Sequence, residues 1–387
     1  MATTPVDPRV LAAMLPFYTE QFGNPASRTH AYGLAAAEAV EKARAQVADF
    51  IGARPREILF TSGATEANSL AIKGVLALSG MPRPHVVTCG TEHRAVLDTL
   101  RRLRGSGDIE VTEVGVNAEG EVDLGKLRAA MTNRTILLCL MAGNNETGTV
   151  HDLEAVSALV AEFEGRVLWH CDAAQAVGKI PLNARSLGID LLSISAHKIY
   201  GPKGQGALFV RRRRPPIRLL PLQEGGGQER GLRSGTLNVP GIVGLGTACA
   251  IMTEEGAAEA QRVGFLRDCL QSGLECGVEE SRPHSAGAQR LPGCLNMTFP
   301  GTDGTELMLA LRDIALSAGS ACSSGDSSPS HVLAAMGVDD TTAFSSLRFG
   351  IGRFTTEEEI DRTIGRISEE VGRLRLATRT RDSRSIE

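Results

Sequence analysis

Between residue 36 and about residue 240 the sequence alternates short apolar runs with stretches long enough to be helices. No other feature restricts the fold as strongly. The runs are "EILFT" (57–61), "HVVTC" (85–89), "TILLCLM" (135–141), "VLWHC" (167–171), "DLLSIS" (190–195) and "GALFV" (206–210). Between most of them lie helix-length segments such as "EANSLAIKGVLAL" and "LEAVSALVAEFEG". "AAEAVEKARAQVADFIGA" precedes them, with Val40, Val47, Phe50 and Ile51 near one helical face. Short continuous apolar runs suit strands buried on both faces. Alternating with helices, they predict an α/β fold with a mostly parallel sheet covered on both sides.

Past residue 245 the spacing changes and helices dominate, "GTACAIMTEEGAAEAQRVGFLRDCLQSGL" being the longest candidate. "GCLNMTF" and "SLRFGIG" then read as strands of a smaller α+β unit. The expected division is a large domain over 5–245 and a small one over 246–387. At 387 residues the chain is long enough for both.

Composition excludes several classes of partner. A formal net charge of −4 supplies no basic excess for nucleic acid or an anionic membrane. No apolar run approaches the ~20 residues of a membrane span, and the N-terminus has no signal-peptide pattern. The eight cysteines show no CxxC pair or metal-ligand spacing. Cys89, Cys139, Cys171, Cys249 and Cys269 lie in apolar or helix-like contexts and are expected as reduced core residues. A cytoplasmic protein without disulfides is the expectation. The basic run "RRRRPP" (211–216) comes after a strand and is expected to be a solvated turn ended by two prolines.

Ligands of open α/β sheets gather at the carboxyl ends of the strands, so the residues directly after each run matter. "EILFT" leads into "SGATEAN", a glycine-containing turn opening a helix, whose backbone N–H groups make a phosphate cup. "HVVTCG" leads into "TEH" with His93, and "TILLCLMAG" into "NNETG". "VLWHC" runs directly into "DAAQ", and "DLLSIS" into "AHKIYGPKG". One polar residue at a strand end is unremarkable; five such ends look like an assembled site. Taken alone, Lys198 reads as an exposed loop lysine. Beside Ser195, His197, Asp172, His93 and the cup, it suits a Schiff base, since cationic or apolar surroundings lower a lysine pKa and free its amine. An Asp for a pyridine nitrogen, a Lys for an aldehyde carbon and a cup for a phosphate together suit pyridoxal 5'-phosphate.

One stretch stands apart. "SAGSACSSGDSSPSHVL" (317–333) places Cys322 among Ser, Gly and Ala with little to pack against. A structural cysteine behaves as a small core hydrophobe. Cys322 is either incidental to a flexible loop or carried by that loop for a purpose.

"FGNPAS", "FTSGATEANSLAIKG", "NNETG", "DAAQAVGK", "SAHKIYGPKG", "GGGQERGLRSGT" and "SAGSACSSG" together resemble the cysteine desulfurases of the class V aminotransferase family, in the group with a long catalytic-cysteine loop. The match runs from "ATTPVDPRV" at residue 2 to "GRFTTEEEID" ending at residue 361. Some of these motifs occur across other class V enzymes; "GGGQERGLRSGT" with a cysteine in "GSACSSG" is much more specific. Members usually open with a short strand similar to "YLDNNATTP", where this sequence reads "MATTP", so that strand is not expected.

The resemblance implies the aminotransferase-like fold of type I, with a seven-stranded large-domain sheet and the cysteine loop, about 317–333, on the small domain. It implies that Lys198 carries the cofactor, Asp172 holds its pyridine nitrogen, Gln175 its 3-oxygen, and His93 stacks on the ring. Ala64, Thr65, Ser195 and His197 would meet the phosphate, and Thr236 the phosphate of a partner subunit in a homodimer. Asn145, also placed at the cofactor, would join Arg348 on the substrate carboxylate, a task suited to a guanidinium fork.

The implied reaction converts L-cysteine to L-alanine, with the sulfur passing to Cys322 as a persulfide. Lys198 would move the Cα proton and His93 would serve as an acid/base. A Gly/Ser tether lets one cysteine visit both the substrate and an acceptor protein, such as an iron–sulfur scaffold. Alternatives are a selenocysteine lyase, another class V enzyme such as an aminotransferase, or a non-catalytic interaction protein on the same fold.

Overall fold

The computed structural model describes residues 2–318 and 329–384. The larger sheet has seven strands: β1 (Ile58–Thr61), β2 (His85–Cys89), β3 (Glu110–Val114), β4 (Thr135–Cys139), β5 (Leu168–Asp172), β6 (Leu191–Ser195) and β7 (Gly206–Val210). Their spatial order is β1-β7-β6-β5-β4-β2-β3. Strands β2 to β6 pair in parallel, while β7 runs antiparallel between β6 and β1. This is the mostly parallel α/β sheet that the alternating runs predict.

Six strands match the apolar runs. The seventh, β3, does not stand out in sequence because its segment "EVTEV", at one edge of the sheet, has three polar residues of five and only Val114 fully buried. The opposite edge strand, β1, is buried at all four positions and keeps its apolar run; β3 is less covered and needs less apolar character.

Helices cover both faces. Helix α1 (Ala31–Phe50) buries Val40 and Val47, with Ile51 buried just past its end; Phe50 is only partly covered. Helix α2 (Ala64–Ala77) packs on the other face, sharing a core with Leu59, Val86, Leu137 and Leu208. Helix α3 (Arg94–Gly105) lies beside α2 and contributes Val96 and Leu100 to the same core.

The long helix α4 (Val239–Gly277) joins two cores. Its first half places Ile242, Leu245 and Met252 against the large sheet. Its second half places Val263, Leu266, Leu270 and Leu274 against a four-stranded sheet. That sheet contains β8 (Arg282–Pro283), β9 (Cys294–Thr298), β10 (Ser317–Ala318) and β11 (Ser346–Gly350), in the order β10-β11-β9-β8. The "GCLNMTF" and "SLRFGIG" runs are β9 and β11. The C-terminal helix α5 (Glu357–Arg384) closes this second core with Ile360, Ile367 and Val371.

Four of the five cysteines expected in the core are buried; Cys269, on α4, is half-buried. Cys294 on β9 is also buried, because the run that contains it forms an inner strand of the small sheet. The seven cysteines among the described residues are all free thiols. The "RRRRPP" turn is not simply solvated. Arg213 is half-buried and donates to Asp190 at 3.2 Å and to the Gly165 carbonyl at 2.7 Å. No helix of the described residues is long and apolar enough to cross a membrane.

Candidate active site

The parallel strands end along one edge, and the sheet register sets what gathers there. Asp172 closes β5 opposite Ser193, and Ser195 closes β6 opposite Gly206. Gly206 is required: a Cβ at this position would lie 2.5 Å from the Ile194 carbonyl oxygen and 2.6 Å from the Cα of Gly63. The glycine lets β7 pass directly under the "SGAT" turn.

A cavity of about 640 Å³ opens at this edge. Ala64, Thr65, His93, Asn145, Asp172, Gln175, Ser195, His197, Lys198 and Arg348 all line it. Residues from four strand ends, a helix start and the small sheet are thereby collected from across the chain. Thr236 is exposed and is not part of the lining. Cys322 lies outside the described residues.

Helix α2 begins here without a side-chain cap, so its first turn presents backbone N–H groups at the positive end of the helix. The turn is held from behind. Glu66 Oε2 accepts from the Ser62 N–H at 2.7 Å, and Arg233 donates to Glu66 Oε1 at 2.9 Å. Arg233 belongs to "GGGQERGLRSGT", whose Glu229 is buried in a bidentate pair with Arg44 at 2.7 and 2.9 Å. Glu229 also accepts from the Phe60 N–H at 2.8 Å. That motif thus anchors both β1 and the turn after it. Breaking such a buried pair costs about 3–5 kcal/mol.

Asp172 is buried, with both carboxylate oxygens engaged. Oδ1 accepts from the Ala174 N–H at 2.9 Å and Oδ2 from Asn68 Nδ2 at 2.7 Å. Gln175 Oε1 accepts from Lys179 Nζ at 3.0 Å. His93 caps α3: its Nδ1 accepts from the Ala95 N–H at 3.1 Å, so the neutral ring carries its proton on Nε2. Arg348, on β11, donates to the Asn145 carbonyl at 2.8 Å across 203 residues. The contact joins the small sheet to the end of β4.

Lys198 sits in the single 3₁₀ turn Ala196–Lys198 after β6, and its Nζ donates to the Ala2 carbonyl. Burial and the nearby Arg348 charge push its pKa from 10.5 down to about 8, against the pull of Asp172. Burial, with the charges of Lys198, Lys203 and Lys179, takes His197 down to about 4, so its ring is neutral at pH 7. Lys179 is lowered to about 8 by burial and by Lys198. Lys198, Lys203 and Arg348 thus face Asp172 and Glu66 in the lining, and Glu66 is already paired with Arg233. The cavity suits an anionic ligand that also carries a group reactive toward an amine.

Glu92 lies beneath the site, fully buried. Its carboxyl is pushed to about 8, chiefly by burial and further by Asp172, although the Met141 N–H opposes the shift. Between its ordinary 4.5 and about 8, the folded state holds a proton that the unfolded chain has released. Stability is therefore lost as pH rises through that window, at about 1.4 kcal/mol per pH unit per proton. Glu92→Gln is expected to melt higher than the wild type near pH 8 and to match it near pH 4.5. Parallel melting curves across this range would rule out the buried neutral carboxyl.

Several cavity residues escape a reading by sequence alone: Ala2, Thr3, Ser62, Glu66, Met141 and Lys203. So do Asn68 and Lys179, which act one step behind the lining. Both lie inside quoted motifs, but spacing along a turn does not tell which side chains face inward.

A family model described as aminotransferase class-V matches residues 1–363. The chain is 51% identical over 374 residues to the cysteine desulfurase IscS of Anaeromyxobacter sp. (strain Fw109-5), covering 97% of this chain and 92% of the relative. It is 48% identical to the Homo sapiens cysteine desulfurase, covering 97% of this chain and 81% of the relative. A solved structure titled NIFS-like protein superposes with a TM-score of 0.89 at 39% identity, over 96% of this chain and 97% of the other. The chain belongs to the aminotransferase class-V family, among its cysteine desulfurases.

Proposed function

We propose that this protein is a pyridoxal 5'-phosphate-dependent cysteine desulfurase, which converts L-cysteine to L-alanine and carries the sulfur away on Cys322. The observation that carries this reading is the meeting of a lowered-pKa lysine, a doubly held carboxylate and an arginine in one cavity. The aminotransferase class-V family and the cysteine desulfurases within it depend on pyridoxal phosphate. The residues present suit that cofactor. Asp172 offers a fixed negative charge for a protonated ring nitrogen, and Gln175, in the lining, would hold the 3-oxygen. The start of α2, with Ala64, Thr65, Ser195 and His197, suits a phosphate, and Thr236 is assigned to the phosphate of a partner subunit in a homodimer.

When bound, pyridoxal phosphate withdraws electrons from the substrate Cα. The chain's own residues do the rest. Arg348, steadied by the Asn145 carbonyl, takes the substrate carboxylate. Lys198, able to shed its proton near neutral pH, carries the cofactor and then moves the Cα proton. His93, in the cavity lining, serves as the acid/base. The Cys322 thiolate attacks the substrate sulfur; the C–S pair stays with the substrate carbon, which takes up a proton. Cys322 keeps the sulfur as a persulfide, and alanine leaves.

We assign residues 5–245 to cofactor binding and 246–387 to a small domain bearing the 317–333 loop; the separate cores at the two ends of α4 support this division. An iron–sulfur scaffold in the cytoplasm is the proposed sulfur acceptor.

The direct test is release of alanine and sulfide from L-cysteine by protein reconstituted with pyridoxal phosphate and supplied with a thiol reductant. Equimolar products support the reading. Turnover of selenocysteine alone would move the assignment to a selenocysteine lyase, and transamination to an aminotransferase.

A further inference from the structure

Asn68 is fully buried on the inner face of α2, between Ala67 and Leu70 in an apolar core. Its Nδ2 donates to Asp172 Oδ2 at 2.7 Å, while no group among the described residues donates to its Oδ1. The opposite amide orientation would set an acceptor against the carboxylate, so the bond to Asp172 fixes the side chain. A buried acceptor left without a partner costs stability. A leucine, similar in size and surrounded by leucine and alanine, would avoid that cost. Packing therefore gives no reason for asparagine at this position; the carboxylate does.

The location adds a second argument. Asn68 lies one turn into the helix whose first residues, Ala64 and Thr65, line the cavity. One rigid helix therefore both presents N–H groups to the cavity and holds Asp172. The Ala174 N–H holds the second carboxylate oxygen, and with both bonds in place the carboxylate plane cannot turn. Hydrogen bonds to a carboxylate are among the stronger ones in proteins, and partners standing behind a ligating group tune its affinity.

We propose that Asn68 is a positioning residue for the cofactor: it sets the orientation of Asp172 toward the ring nitrogen and keeps that contact in register with the phosphate end of the cavity. This rests on the reading of the cavity as a pyridoxal phosphate site.

The test compares wild type with Asn68→Leu by three measurements: melting of the cofactor-free protein, equilibrium binding of pyridoxal phosphate, and the pH dependence of the bound cofactor's absorbance. Asn68→Leu is expected to melt within a few degrees of wild type, to bind the cofactor at least about 10-fold more weakly, the scale seen when the partners of metal-ligating side chains are removed, and to shift the pH profile of the absorbance. A purely structural asparagine would move the melting temperature and leave the pH profile in place. Should Asn68→Leu not fold, Asn68→Ala is measured in the same way. In an Asp172→Ala background, a further Asn68→Leu change is expected to add nothing; an additional loss of affinity there would overturn the inference. Unchanged affinity and pH profile in the single variant would also overturn it, leaving the cofactor assignment intact. A wild type that does not bind pyridoxal phosphate would remove both.

Discussion

Cys322→Ala is expected to lower alanine and sulfide release from L-cysteine at least about 1,000-fold, the scale on which loss of a nucleophile acts, while the protein remains yellow with bound cofactor. The expectation comes from the chemistry of the step. An alanine methyl cannot accept sulfur, and a thiolate is the side chain best suited to attack a substrate sulfur. None of the groups placed around the cavity is altered by this change, so cofactor binding should persist. The measurement is an assay of both products in wild type and variant, with the absorbance spectrum as control. Equal turnover would reduce Cys322 to a loop residue and send the assignment to other pyridoxal enzymes.

Lys198→Ala is expected to lose turnover by at least about 1,000-fold, the upper range for removing a proton-transfer group, and to lose covalently held cofactor. The same lysine predicts a pH dependence in the unmutated protein. Its pKa, lowered to about 8, makes the neutral amine the minor form at pH 7 and the major form above about pH 8. Only the neutral amine attacks an aldehyde. The rate at which cofactor-free protein takes up pyridoxal phosphate should therefore rise toward pH 8 and level off beyond it. An ordinary lysine would keep rising to about pH 10.4. Mixing cofactor-free protein with pyridoxal phosphate at stepped pH distinguishes the two curves. A rate independent of pH across this interval would falsify the role of Lys198 as the attacking amine.

The Glu92 and Lys198 predictions have opposite signs for one physical reason. Burial disfavours whichever form is charged. A buried carboxyl therefore keeps its proton as pH rises, and a buried amine sheds one early. Both effects come from the same low-dielectric edge of the sheet, and neither residue type announces it in sequence.

What the sequence determined by itself was local. Apolar runs of strand length, separated by helices, are sufficient for a mostly parallel sheet, because strand and helix periodicities are read from near neighbours. Polar residues directly after those runs are sufficient to collect Asp172, Ser195, His93 and Lys198 at one edge, because parallel strands all end on the same side. Edge strand β3 escaped for the converse reason: exposed on one flank, it carries no continuous apolar run. Tertiary structure alone decided the rest. Arg348 meets Asn145 only because the chain returns after 203 residues, and Lys198 is depressed in part because that return sets Arg348 beside it. Asn68 and Lys179 sit within recognisable motifs, but their partners Asp172 and Gln175 are determined by which way a helix and a turn face. Desolvation and long-range charge depend on what packs against a residue, and a one-dimensional pattern does not contain that information.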